Sequence, residues 1–195
     1  MTHAQVYSIV DDLVGKGLSG EDEDLVSTMP PRKDIGMQLQ RKMSHTYYSM
    51  GVSYYHRAHI RKAIDCLEKC LKHDPTVATA HYWLGVSHSL CRDLEKSIHH
   101  FKCLLEQTPS SVIAHYHLGV NYTAIGHHDL AVRHFERVVE ENPEEENALQ
   151  NLAKAYFSCG RTMEAVGVLR KAVQLNPDDE RSRRMLAELT DVAEP

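Results

Sequence analysis

The chain has 195 residues, 42% hydrophobic and 25% charged, which is enough apolar material for one ordinary domain with a sizeable core and too much for wholesale disorder. Its formal net charge of -5, with neutral histidine, lacks the cationic excess that a phosphate backbone demands, which argues against a nucleic-acid partner. No run approaches the roughly 18 uninterrupted apolar residues of a membrane-spanning helix.

The first residues, MTHAQVYSIVDD, have no basic stretch leading into an apolar one, so no secretory signal is expected. Five cysteines, an odd number, then read as reduced thiols in the cytoplasm. Val6, Ile9, Val10, Leu13 and Val14 recur at helical spacing and predict an amphipathic helix over 3–16. An isolated helix of about 14 residues is marginal in water, so this stripe is expected to cover a groove of its own chain or to link copies in a homo-oligomer, the alternative being a helix that extends the first end of the stack. The following GLSGEDEDLVSTMPPRKD is acidic, ends near two prolines and is read as a linker; segment and linker together occupy 1–43.

From there a repeat takes over. Pro75, Pro109, Pro143 and Pro177 stand 34 residues apart, and a fixed period of that size marks stacked helical units. Small residues recur at Gly51, Gly85, Gly119 and Ala153, and again at Ala63, Ser97, Ala131 and Ala165. Bulky apolar residues lie between them, at Met50, Leu84, Leu118 and Leu152, and at Leu67, Phe101, Phe135 and Leu169. Two antiparallel helices approach closely where one side chain is nearly absent and a large neighbour fills the groove so formed. The pattern predicts helix pairs at 44–57 and 60–73, 78–91 and 94–107, 112–125 and 128–141, and 146–159 and 162–175. Gly126 and Gly160 suit the turn inside the last two pairs, whereas Ala58 and Arg92 predict less regular turns in the first two. A final amphipathic helix, near 178–191 with Met185, Leu186 and Leu189 on one face, is expected to cap the stack.

This pattern resembles the tetratricopeptide-repeat (TPR) family over residues 44–179, with repeats at 44–77, 78–111, 112–145 and 146–179 and a cap at 180–195. The resemblance implies an all-α, right-handed superhelical solenoid without catalytic activity, which holds proteins or peptides in a groove lined by the first helix of each repeat. It also implies that the second, fifth, ninth and twelfth positions of those helices face the groove. The residues there include Tyr48, Val52, Tyr55, Tyr82, Val86, Tyr116, Val120, Lys154 and Phe157, a ladder of tyrosine and valine suited to an extended chain or a helix. The Lys, Asn and Arg set with which TPR co-chaperones clamp a carboxylate is not matched, since Lys154 and Asn121 alone do not rebuild it. A short segment ahead of the array is also similar in layout to magnetosome-associated scaffolds of the family, which implies a multi-copy platform held at an organelle surface through a partner. The alternative is an intracellular chaperone or secretion-type adaptor that shields one client segment.

Other chemistry finds little support. Cys66, Cys70 and His73 share a helix face, but Cys70 falls at a small core position and the remaining two lack a third ligand, so no metal site is expected. No phosphate-binding loop or nucleophile constellation is present, and neither an enzyme nor a cofactor is expected. The acidic turn EENPEEE reads as a solvated rim.

Overall fold

In the computed structural model, residues 32–193 are described, with side chains described over 36–191. The helix expected at 3–16, with Val6, Ile9, Val10, Leu13 and Val14, lies outside the described residues. Two compact parts divide the chain, Met1–Lys42 and Met43–Pro195. The described residues form nine helices and no strand: α1 (Arg32–His56), α2 (Ile60–His73), α3 (Ala78–Leu90), α4 (Leu94–Gln107), α5 (Val112–Ala124), α6 (His128–Glu141), α7 (Glu146–Ser158), α8 (Thr162–Leu175) and α9 (Glu180–Ala193). Helix α1 starts at Arg32, twelve residues ahead of the expected start at 44, so Arg32 to Met43, placed in the segment-and-linker region 1–43, are helical instead. A proline pair just ahead of a helix suits such a start, because the first turn has no use for the N–H groups that proline lacks.

The second helix of each repeat ends where the sequence demands. Asp74, Thr108, Asn142 and Asn176 precede prolines, and each donates its backbone N–H to the carbonyl four residues back. Asp74 and Asn176 also accept from the amides of Thr76 and Asp178 through their side chains, tightening the turn into the next repeat.

The turns inside the repeats correct one expectation. Ala58 (φ 60°) and Arg92 (φ 63°) adopt the same left-handed conformation as Gly126 (φ 80°) and Gly160 (φ 74°). All four close with the same pair of bonds: Arg92 N–H to Ser89 and Asp93 N–H to His88 in repeat 2 correspond to Gly126 N–H to Thr123 and His127 N–H to Tyr122 in repeat 3. The turns are thus equally regular. Left-handed backbone costs a non-glycine residue roughly 1–2 kcal/mol, and packing of the flanking helices overrides it.

Close helix approach explains the small and large residues. A Cβ on Gly85 would lie 2.8 Å from the Phe101 ring, one on Gly119 2.7 Å from the Phe135 ring, and one on Gly51 2.6 Å from Leu67. Leu84, Leu118 and Leu152 are buried with them, but Met50 is 41% exposed, another departure from the sequence reading. Met50 belongs to the first repeat, which has no repeat 34 residues earlier to pack on.

Two clusters form the core. Leu67, Cys70, Ala80 and Leu84 join the first two repeats. A larger cluster runs through Phe101, Leu118, Phe135, Leu152 and Leu169 to Leu189 of α9, against which Met185 and Leu186 also pack. Ser97, which replaces the usual alanine, is fully buried and occupied. Its hydroxyl donates to the Gly85 carbonyl at 2.7 Å and accepts from Asn121 Nδ2 at 2.7 Å, while Ser89 donates to Asn121 Oδ1 at 3.3 Å. Asn121 is therefore a buried tie between repeats 2 and 3 and is not available to a ligand.

Candidate functional site

The second, fifth, ninth and twelfth positions of the repeats lie on α1, α3, α5 and α7, helices that bury other residues in the core. Tyr82 and Tyr116 pack on the larger cluster and Tyr48 on the smaller, and all three are half-buried. Each meets the residue 35 positions later, on the first helix of the next repeat. Trp83 Nε1 donates to the Tyr48 hydroxyl at 3.2 Å, and Asn151 Nδ2 donates to the Tyr116 hydroxyl at 3.2 Å. The His117 ring stands edge-on to Tyr82 at 6.0 Å and stacks on Phe101 at 4.7 Å. Tyrosine at position five is thus structural as well as presented. Each phenol keeps its own O–H to donate. Burial first, and then Tyr55, pushes the Tyr82 phenol up.

The remaining predicted residues sit around these rings. Tyr55 is half-buried, its ring 4.8 Å from Trp83, and Val52 and Val86 are half-buried. Val120 at a ninth position, Phe157 at a twelfth and Ile113 at a second are 37%, 45% and 47% exposed. Three of the large exposed apolar side chains of the described residues therefore fall in the predicted register, toward its C-terminal half. Next to Ile113 and Tyr116 is a cleft of about 460 Å³, rimmed by Asn142, Glu145 and Asn147. A smaller one of about 240 Å³ lies between α7 and α9, with Phe157, Met185 and Leu189 as apolar wall and Lys154 and Glu188 as polar rim. Burial and the neighbouring Arg181 lower the Lys154 pKa, so its ammonium sits where an anion would be welcome.

The fourth repeat departs from the ladder for a visible reason. Gln150 takes the tyrosine position, is 5% exposed and donates to Asp179 at 2.8 Å. Asp179 in turn accepts from the amides of Arg181 and Ser182, so Gln150 anchors the start of the capping helix. The sequence reading missed Trp83, His117 and Asn151 as partners of the tyrosines. The signal was present as one offset of 35 residues recurring three times.

Among the described residues no three His, Cys, Asp or Glu side chains converge as metal ligands, and no helix is long and apolar enough to cross a membrane.

Tetratricopeptide-repeat models match residues 44–77 and 122–189. The chain belongs to the tetratricopeptide-repeat family. Sequence comparison with curated proteins finds no match. Among solved structures this TPR chain is similar to MamA of Desulfovibrio magneticus RS-1, at 20% identity and a TM-score of 0.73, over 77% of this chain and 85% of that one. It is also similar to a MamA crystal structure at 27% identity and a TM-score of 0.65, over 69% of this chain and 73% of the other. A third likeness is to YrrB, described as a TPR protein with an unusual peptide-binding site, at 22% identity and a TM-score of 0.67, covering 73% of each chain. The fold is an all-α TPR solenoid like that of MamA, and a TPR solenoid is a protein-interaction scaffold.

Proposed function

We propose that repeats 44–77, 78–111, 112–145 and 146–179, capped by 180–195, act as a non-catalytic scaffold that holds a peptide or helix against the first-helix face marked by Tyr48, Val52, Tyr55, Tyr82, Val86, Tyr116, Val120, Lys154 and Phe157. The observation that carries this is the exposure of Ile113, Val120 and Phe157 at the predicted register, beside the half-buried tyrosines. Large apolar side chains held in water on one face favour a covering partner. The peptide-binding site named for YrrB supports the same use of the fold.

Self-association through Val6, Ile9, Val10, Leu13 and Val14 belongs to this proposal, as does a platform of the magnetosome type, cytoplasmic and attached to a membrane only through a partner. The likeness to MamA supports these as the reading to test first.

Two measurements test it. Partners retained by the wild-type chain on an affinity column are expected to be lost by an Ile113→Glu, Val120→Glu, Phe157→Glu variant with an unchanged helical circular dichroism spectrum; equal retention overturns the groove. Deleting residues 1–31 is expected to reduce the mass seen by light scattering, and an unchanged mass overturns the self-association.

A further inference from the structure

The fourth position of a first helix and the twenty-third position of the repeat, on its second helix, are occupied in three ways. Repeat 1 has Tyr47 and Cys66, and repeat 4 has Leu149 and Val168. In the two middle repeats both are histidine, and the rings meet. His81 Nδ1 lies 3.1 Å from His100 Nδ1, and His115 Nδ1 lies 2.9 Å from His134 Nδ1. At that distance one nitrogen must carry a hydrogen and the other must offer a lone pair.

A third contact assigns the hydrogen. His115 Nε2 is 3.2 Å from the Pro109 carbonyl, which can only accept, so Nε2 is protonated. In the neutral ring Nδ1 is then bare, and His134 Nδ1–H donates to it. Pro75 stands 34 residues before Pro109 and its carbonyl acts on His81, so the same assignment carried to repeat 2 makes His100 the donor there.

The donor rings are walled in. His100 stacks on His88 (5.5 Å, 11° between planes), and His134 stacks on Tyr122 (5.5 Å, 9°). His99 and Lys96 on α4 act on His100, while Glu106 acts on His81. Behind His88 stand Asp93 and, from α2, Glu68. His134 is influenced by His115 and by Lys102 of α4.

We propose that these two imidazole pairs make the middle repeats a proton-responsive seam, closed while each pair holds at most one added proton and opened when both rings of a pair are charged. One added proton leaves the contact intact, since a charged ring donates through Nδ1 to the neutral ring facing it. With two added protons both Nδ1 atoms carry hydrogens, no lone pair remains between them, and two cations stand in contact. Burial first, then the facing histidines, hold His100 and His134 down to about 4 in the fold. Their folded values lie below the unfolded one, so their contribution is fully present above the ordinary histidine range. It is lost as pH falls from about 6.5 through about 4. Repeat 4 has no such dependence at these positions. This inference stands independently of what the groove binds.

The chain supplies its own control, because Leu149 and Val168 show that an apolar pair fits the site. Thermal melts between pH 7.5 and pH 4 compare the wild type with a variant carrying His81→Leu, His100→Val, His115→Leu and His134→Val. The wild type is expected to lose on the order of 5 °C more than the variant across that range. Parallel profiles overturn the proposal. If the variant fails to fold, imidazole ¹⁵N shifts of the wild-type chain decide. Nδ1-protonated His100 and His134 facing Nε2-protonated His81 and His115 at neutral pH support it, and four rings titrating independently in the same tautomer overturn it.

Discussion

Repeats 2 and 3 and repeat 4 build the same helix pair from different chemistry. The middle repeats set a glycine against a phenylalanine, Gly85 with Phe101 and Gly119 with Phe135, whereas repeat 4 sets Ala153 against Leu169. Buried polar atoms tie repeat 2 to repeat 3 through Ser97 and Asn121, whereas the equivalent residues between repeats 3 and 4 are Ala131 and Ala155, both fully buried. Paired histidines in the middle become Leu149 and Val168 at the end. The backbone thus tolerates either a polar, tightly matched solution or a plain apolar one. The working rule is that glycine and phenylalanine act as a matched pair in the middle repeats, while repeat 1 mixes the two solutions by setting Gly51 against Leu67.

That rule is open to attack at several positions. The largest effect is expected for Phe101→Ala, a loss of about 3–5 kcal/mol in urea denaturation, because the groove over Gly85 is left empty. Gly85→Ala alone is expected to lose roughly 1–3 kcal/mol by overpacking, and Gly85→Ala with Phe101→Leu, which copies repeat 4, to recover most of it. Simple additivity of the two changes would break the comparison.

Asn121→Ala is expected to lose about 1–3 kcal/mol, since Ser97 and Ser89 lose a buried partner. Adding Ser97→Ala, which recreates the Ala131 and Ala155 combination, is expected to restore part of that loss in the same assay.

At the cap, Asp179→Ala is expected to lose about 1 kcal/mol. Hydrogen bonding from Ser182, with further bonds from the Arg181 amide and Gln150, holds the Asp179 carboxyl below its ordinary value. Its contribution is therefore present above the ordinary carboxylate range and lost as pH falls through it. Melting curves of wild type and variant should differ at neutral pH and converge in strong acid, below the window assigned to the histidine seam.

The smallest change is expected at the turns. Gly126→Ala should lose about 1 kcal/mol while Arg92→Gly gains a fraction of that, because both residues occupy left-handed backbone. Equal and negligible shifts would mean that the turn conformation carries no strain.

How much was legible in the sequence follows from what repeats and what does not. The prolines fix the ends of α2, α4, α6 and α8 because ring sterics act locally, and the small and large residues fix the packing because helix contact is short-ranged. The turns at Ala58 and Arg92 were misjudged because local preference argued for irregularity while the flanking helices imposed the common geometry. Met50 was misjudged because a repeat pattern says what a residue would pack on, not whether that neighbour exists. On the candidate face, Tyr48, Tyr82 and Tyr116 were found from their period, but their engagement by Trp83, His117 and Asn151 runs between repeats and shows only as an offset of 35 in place of 34.

The bond from Trp83 to Tyr48 has a practical consequence. The chain has a single tryptophan, and its indole is clasped by the first repeat while its backbone belongs to the second. Its emission is thus a native optical gauge of whether the N-terminal repeat has parted from its neighbour, so fraying at that end can be followed without attaching a dye.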